Sequence, residues 1–176
     1  MANRYFIGQG TLSVALRNTD GTPQTFRELG NCPNLELNVD EEFVEHYESE
    51  SGFRRLDLMI RTRLQVSFNF AVENFNLDNW LMVYNGSSGT GAADEEVIYA
   101  FNTDPVDFWL KFEGMNIAEQ RKPVTVNVFR ARLEANSGFA FIGEDVAKVD
   151  LTGFAQYDAL NSDKGGFFTI TQKKAT

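Results

Sequence analysis

The sequence of 176 residues is poor in the residue types that build reactive or metal-binding sites. It has one cysteine, Cys32, and one histidine, His46. A single cysteine excludes an intramolecular disulfide framework, and these two residues do not form the usual clusters of metal ligands. No Gly-x-Ser-x-Gly motif is present, and close carboxylate pairs are expected by chance among 25 acidic residues. The sequence therefore predicts no enzyme, no cofactor and no metal site.

The chain also lacks an excess of basic residues and any long apolar segment. It has 16 Lys and Arg against 25 Asp and Glu, for a formal net charge of -9 at pH 7. Affinity for nucleic acid comes mainly from basic residues, so DNA would pass such a surface without sticking to it. The N terminus has no signal-peptide pattern, and no window approaches the ~20 apolar residues of a membrane span. We therefore expect synthesis in the cytoplasm and no membrane binding.

Alternating apolar and polar residues predict a strand-rich chain that forms a single domain over residues 1–176. Sixteen Phe residues fit this prediction, because aromatic side chains favour half-buried strands. In the segment 124–133 the inward pattern changes phase, which predicts a bulge or a strand buried on both faces. The candidate strands, in chain order, are 5–17, 25–29, 35–43, 60–72, 97–101, 108–112, 124–133, 139–142, 149–157 and 167–171.

An acidic segment precedes the most regular of these strands. Six carboxylates occupy positions 40, 41, 42, 45, 48 and 50, and two adjacent arginines, Arg54 and Arg55, follow them. A segment of one charge is costly to order alone, and it gains if basic groups on another molecule receive it. The sequence therefore predicts a long interaction loop over about residues 40–57.

The strand 60–72 alternates almost without error, with apolar residues at most even positions and polar residues at the odd ones. Burying Ile60, Leu64 and four further apolar residues up to Val72 would contribute ~1.5–3 kcal/mol each and fix the register. The face formed by the odd positions presents Arg61 and Arg63, which lie ~7 Å apart at the rise of a strand. Arg130 and Arg132 have the same spacing in the candidate strand 124–133. Such arginines often pair with carboxylates on adjacent strands. The predicted interface face comprises Glu36, Asp40, Arg61, Arg63, Arg130 and Arg132.

One short helix is predicted over about Leu77 to Tyr84. Apolar residues recur there at i, i+3, i+4 and i+7, and Asn76 stands at the expected N-cap position. A single helix on a strand-rich chain flanks a sheet rather than forming a layer alone. The predicted fold class is therefore mainly β, a β-sandwich or barrel-like sheet with one short flanking α-helix. Trp80 and Trp109 fit core positions, and a carbohydrate platform is the alternative for them.

Three pieces of sequence occur in a recognisable order. They are Gly8-Gln9-Gly10-Thr11-Leu12, then Cys32-Pro33-Asn34-Leu35-Glu36-Leu37, then Val44-Glu45-His46-Tyr47-Glu48-Ser49-Glu50-Ser51-Gly52. In this order, followed by the long strand and the short helix, they resemble the tail tube (major tail) proteins of long-tailed, non-contractile bacteriophages. In those proteins a Glu-His-x-x-Ser-x-Ser-Gly-like loop joins two strands. The resemblance covers about residues 5–86.

The resemblance implies a structural virion protein of the phage tail that assembles with copies of itself. Members of that family form hexameric rings that stack into a tube, through which DNA is ejected into the host without specific binding. Their partners include the tape measure and other tail proteins, and the long loop reaches the neighbouring ring. The contact residues implied here are Val44, Glu45, His46, Tyr47, Glu48, Ser49, Glu50, Ser51, Gly52, Phe53, Arg54 and Arg55.

The same family surrounds its lumen with the inner sheets of six subunits, so the arginine-bearing face could line a lumen or a subunit interface. A lumen lined by Arg61 and Arg63 would attract DNA, and we therefore expect neighbouring carboxylates, with Glu36 and Asp40 as candidates, to neutralise them. Two other functions stay open at this point. One is a carbohydrate- or protein-binding β-sandwich module, and the other is a related secretion-system tube protein.

Overall fold

The computed structural model describes residues 5–50, 52–134 and 138–173. Within these ranges it has ten strands and one α-helix, α1 (Leu77–Val83), together with 3-10 helices at Ile117–Glu119 and Ala159–Lys164. The prediction of a mainly β fold with one short helix is confirmed. The strands are β1 (Gly8–Leu16), β2 (Arg27–Glu28), β3 (Leu35–Glu48), β4 (Arg55–Val72), β5 (Ser87–Ser88), β6 (Ile98–Tyr99), β7 (Phe108–Asn116), β8 (Lys122–Leu133), β9 (Val149–Ala155) and β10 (Phe168–Gln172).

Eight strands form one antiparallel sheet in the order β2-β1-β7-β8-β9-β4-β3, and β10 also pairs with β8. The strand β8 connects the two halves of this sheet. It pairs with β7 along most of its length, with β10 at 124–128 and with β9 at 131–133. The half built on β1, β7 and β10 can thus turn to face the half built on β3, β4 and β9.

One hydrophobic core joins the two halves. Leu12 of β1 and Leu110 of β7 belong to the same buried cluster as Phe68 of β4 and Leu151 of β9. The ring of Phe68 meets Phe108 of the opposite half edge to face, at 6.5 Å between ring centroids. Two sheet faces that share one core form the sandwich-like arrangement that the sequence predicts.

The phase change predicted in β8 is an irregularity of its pairing. The register with β7 shifts between Phe108 and Leu110. As a result, the successive residues Val128 and Phe129 are both buried. Phe129 packs in a second small cluster with Trp109, whose burial agrees with the predicted core position.

The helix α1 begins where the sequence predicts. The side chain of Asn76 accepts a hydrogen bond from the backbone N–H of Asn79 at 2.9 Å, which is an N-cap contact. The buried helix residues are Asn79 and Val83, whereas Trp80 on the predicted face is only half-buried. The side-chain amide of Asn79 can be buried because it donates a hydrogen bond to the carbonyl of Leu29 and accepts one from Arg27. These two hydrogen bonds attach the helix to the segment 27–29.

The strand 60–72 is buried over only part of the predicted length. The exposed fractions of Val66, Phe68 and Phe70 are 2%, 1% and 1%, but Ile60 is 52% exposed. The reason is that β9 covers β4 only from Val66 onwards, so the first part of β4 leaves the body of the domain. The predicted burial of Ile60 is therefore wrong.

Candidate interaction surface

The strands β3 and β4 continue beyond the body as a two-stranded arm, which we define as residues 40–63. The interaction loop predicted over 40–57 is wrong in its secondary structure, because β3 runs to Glu48 and β4 begins at Arg55. Pairing between the two strands of the arm provides hydrogen bonds for backbone N–H and C=O groups that would bond to water in a loop. From Asp40 to Glu48 the arm extends roughly 27 Å at the rise of a β-strand.

The arm exposes an unusual amount of apolar surface. Its large apolar side chains are between 41% and 60% exposed, and Val44 lies directly opposite Ile60 in the pairing. Monomeric soluble proteins rarely expose contiguous apolar patches larger than a few hundred Å² unless the patch has a binding role. The exposed set is Phe43, Val44, Tyr47, Phe53, Leu56, Leu58, Met59 and Ile60.

Two of the four arginines of the arm, Arg61 and Arg63, are neutralised within the chain. Nη1 of Arg61 lies 2.7 Å from a carboxylate oxygen of Glu41, and Nη1 of Arg63 lies 2.6 Å from one of Glu42. The expected neutralisation is therefore present, but its partners are Glu41 and Glu42 and not the predicted Glu36 and Asp40. The antiparallel register places Glu42 opposite Arg63, which explains the choice of partner.

The remaining residues of the predicted interface face lie in other surroundings. Glu36 accepts a hydrogen bond from the amide of Asn69 at 3.1 Å, and Asp40 lies opposite Gln65 in the pairing. On β8 the other two arginines share one carboxylate in the body: Arg130 and Arg132 lie 2.6 and 2.7 Å from the two oxygens of Asp107.

The end of the arm combines aromatic rings with positive charge. The guanidinium of Arg54 lies 5.3 Å from the ring centroid of Tyr47, and that of Arg55 lies 4.3 Å from the centroid of Phe53. The hydroxyl of Tyr47 donates to Glu45 at 2.7 Å, which raises the pKa of the tyrosine. Of the predicted contact residues, Ser51 lies outside the described residues.

The single histidine pairs with a carboxylate across the arm. Nδ1 of His46 lies 2.6 Å from Oδ1 of Asp57, where the register of the two strands shifts. Both side chains are exposed, at 65% and 43%, so solvent screens the pair.

Throughout the described ranges, no three His, Cys, Asp or Glu side chains form a group that could hold a metal ion. No helix in the part of the chain that the structure describes is long and apolar enough to cross a membrane.

Neither tryptophan offers an open platform for a sugar ring. Trp109 is 7% exposed, and its indole N–H donates to the carbonyl of Gly21 at 3.1 Å. Trp80 packs against the rings of Phe75, Tyr84, Phe139 and Phe141, with centroid separations between 4.9 and 6.3 Å. A carbohydrate site built on either ring therefore receives no support from the geometry.

The predicted contact set omits five exposed apolar residues of the arm: Phe43, Leu56, Leu58, Met59 and Ile60. Strict alternation begins only at Ile60, because Leu58, Met59 and Ile60 are consecutive apolar residues. This run of apolar residues beside a charged segment was the signal in the sequence that could have indicated an apolar contact surface there. The prediction placed Ile60, the last residue of that run, in a core strand, whereas the structure exposes it.

The described geometry is that of an antiparallel β-sandwich with one flanking helix and a projecting arm. The same fold occurs in a sheath/tube terminator of an extracellular contractile injection system, PVC, at 12% sequence identity and a TM-score of 0.50. That alignment covers 97% of this chain and 99% of that one. Matches are also found to the tube-terminating cap of the anti-feeding prophage (14% identity, 98% and 95% coverage, TM-score 0.48) and to the tail of an empty GTA particle (12%, 93% and 96%, 0.43).

A protein-family model matches nearly the whole chain, over residues 5–96 and 91–171. The chain belongs to that family, which is described as "Protein of unknown function UCP028589". Comparison with curated protein sequences gives no match.

Proposed function

We propose that the protein is a structural subunit of a phage-like tail, which assembles with copies of itself into stacked hexameric rings that form a tube. The observation that supports this most directly is the arm. It holds eight large, exposed apolar side chains on a two-stranded ribbon. An isolated two-stranded hairpin is marginally stable in water, so a ribbon of this length gains stability when another chain covers it.

The fold comparison supports the same role. The PVC protein of the same fold is a sheath/tube terminator, and it aligns over almost its whole length. That protein belongs to a contractile system, whereas the sequence resembles tail tube proteins of non-contractile phages. A tube is common to both kinds of particle, and we assign the protein to the class of tube subunits, with the virion tail as its location and the tape measure and other tail proteins as partners.

The charge of the chain suits a conduit for DNA. A net charge of -9 repels phosphates, and Arg61 and Arg63 are paired with Glu41 and Glu42. A wall of this kind lets DNA slide during ejection, because binding would require unpaired basic groups that release counterions. The residues 44–55 are proposed to contact the neighbouring ring.

Negative-stain microscopy of the purified full chain tests the proposal. We expect rings or tubes of uniform diameter with six-fold symmetry. The variant Leu58→Ser, in the arm, should abolish stacking, whereas Leu160→Ser should leave it intact. Leu160 is a matched control because it is 57% exposed, against 50% for Leu58, and lies outside the arm. A wild-type chain that stays monomeric at high concentration, at every salt concentration tried, contradicts the proposal.

A further inference from the structure

A group of aromatic rings lies on α1 and the loops beside it, outside the arm. The rings of Tyr84 and Phe141 are both nearly parallel to that of Trp80, at centroid separations of 5.6 and 6.3 Å. Phe139 meets the rings of Trp80 and Phe141 at steep angles, and Phe101 meets that of Tyr84 in the same way. We call these five residues the aromatic patch.

Much of the aromatic patch is open to solvent. Phe141 is 79% exposed and Phe101 is 65% exposed, and Ile142 next to the patch is 96% exposed. The backbone of Phe101 has φ +57°, a left-handed conformation that is unfavourable for a bulky side chain. A strained and exposed aromatic residue of this kind favours a binding role over a role in folding.

The sequence around the aromatic patch carries charge of only one sign. The segments 64–110 and 133–147 supply all five rings, and neither segment contains a Lys, Arg or His residue. They contain ten Asp and Glu residues, seven in the first segment and three in the second. The carboxylates within three positions of a ring of the patch include Asp78, Asp104 and Glu144. The patch is therefore suited to a cationic partner.

The nearest basic side chains have other contacts. Lys148, the first basic residue after the second segment, pairs with a carboxylate of β9 at 3.3 Å. Arg27 reaches α1 from its buried side, where its Nη1 donates to the side chain of Asn79, which is 0% exposed. Neither of these contacts involves Asp104 or Glu144, so these carboxylates stay available to a cation from another molecule.

We propose that the aromatic patch binds an arginine-bearing, partly apolar segment of a different protein. A guanidinium stacks on the face of an aromatic ring, and the carboxylates nearby attract its charge. Apolar side chains of the same segment would cover Phe141 and Ile142. The inference goes beyond the tube assignment, because the patch lies outside the arm.

A second copy of the chain suits the aromatic patch less well than a different protein. At least eight of the 16 Lys and Arg side chains already pair with carboxylates of the same chain. In the arm, the guanidinium groups of Arg54 and Arg55 already lie near the rings of Tyr47 and Phe53. The cation that the patch requires is therefore expected from another protein.

Titration of the purified full chain with a short synthetic peptide of alternating arginine and leucine tests the proposal. The fluorescence of Trp80 reports binding, because the other tryptophan, Trp109, is buried in a separate cluster. We expect a saturable change in emission, with an affinity that falls as the salt concentration rises. A matched peptide of alternating glutamate and leucine should produce no change.

Variants that keep the net charge separate the rings from general electrostatic attraction. Phe141→Ser should weaken peptide binding at least about ten-fold, because it removes the most exposed ring of the patch. Phe6→Ser is the matched control, since Phe6 is 60% exposed and lies outside the patch. Phe101→Asn should also weaken binding without lowering the melting temperature, because asparagine tolerates a left-handed backbone.

Each contrary outcome overturns a stated part of the proposal. Equal binding by wild type and Phe141→Ser would show that net charge alone attracts the peptide, and equal binding of the glutamate peptide would remove the role of charge. Loss of tubes in Phe141→Ser without any peptide would assign the aromatic patch to a contact between copies. None of these results affects the tube assignment, which is overturned if the wild-type chain stays monomeric.

Discussion

The two ends of β4 show what the body and the arm each require of the sequence. In the body, Phe68 and Phe70 are each 1% exposed, whereas Leu56 and Leu58 in the arm are 49% and 50% exposed. The residue types are similarly apolar, and the backbone is the same continuous strand. The difference is that β9 and the opposite half of the sheet cover only the later part of β4. Apolar residues on the uncovered part contribute little to the stability of one chain, and under the proposed function they stabilise the assembly.

The largest expected effect is the loss of a core ring from the body. The variant Phe68→Ala should lower the free energy of unfolding by about 3–5 kcal/mol, because it leaves a cavity where Phe68 contacts Phe70 and Phe108. The matched change in the arm, Leu58→Ala, should alter it by less than about 0.5 kcal/mol, since that side chain is already half exposed. Urea denaturation at concentrations too low for assembly measures both.

Equal losses in these two variants would remove the distinction between body and arm. A large loss for Leu58→Ala would mean that the arm folds back and is covered within one chain. A small loss for Phe68→Ala would mean that the body relaxes around the missing ring.

The second prediction concerns a buried ion pair in the body. Asp158 is 2% exposed and lies 2.7 Å from Nη2 of Arg17. Burial by itself would raise the pKa of Asp158, but hydrogen bonds from Arg17, Asn161 and the N–H of Leu160 outweigh it and lower the pKa. The variant Asp158→Asn should cost about 3 kcal/mol at neutral pH, because it leaves the charge of Arg17 without its partner.

The pH dependence of this loss follows from the lowered pKa. A carboxylate with a lower pKa in the folded state contributes stability above its unfolded pKa, near 3.9, and loses it as the pH falls through the folded value. The difference in free energy of unfolding between wild type and Asp158→Asn should therefore be constant from pH 5 to 7 and shrink below about pH 4. A difference that does not change down to pH 2 would contradict this origin.

Local signals in the sequence predict local structure well. The helix α1 begins after Asn76 as expected, because an N-cap and an apolar repeat lie within a few residues of each other. The alternation of β4 predicts its strand conformation and the burial of Val66, Phe68, Phe70 and Val72. Periodicity alone cannot say where the opposite sheet ends, so it could not show that Ile60 is exposed.

Contacts between distant parts of the chain are beyond such signals. Arg17 and Asp158 are 141 positions apart, and nothing in the residues around either one indicates the other. A cleft of about 1020 Å³, whose lining includes Leu12, Leu37 and Phe112, is assembled from five strands and the segment before β3, so it exists only once the topology is known. The arm was predicted as a contact segment from its charges and from a family resemblance, but its pairing depends on a register that includes two irregularities.

The third prediction tests the cap of α1 in the body. The variant Asn76→Ala removes the acceptor for the N–H of Asn79 and should lower the free energy of unfolding by about 1 kcal/mol. Asn76→Asp, which keeps an acceptor, is the matched control and should cost much less. Thermal unfolding followed by circular dichroism distinguishes the two, and equal losses would show that the cap contact does not contribute.

The smallest expected effects compare ion pairs of the arm with one of the body. The pair of Arg63 with Glu42 has side chains that are 50% and 56% exposed, so Arg63→Gln should cost less than about 0.5 kcal/mol. Asp107 in the body is only 17% exposed and receives both Arg130 and Arg132, so Arg130→Gln should cost more, about 1 kcal/mol. Urea denaturation in low and high salt should show a loss for Arg130→Gln that persists in salt, because its partner is shielded from screening ions. If the arm variant proves the more costly of the two, the arm is covered already in the single chain, and its exposed apolar surface no longer requires a second copy.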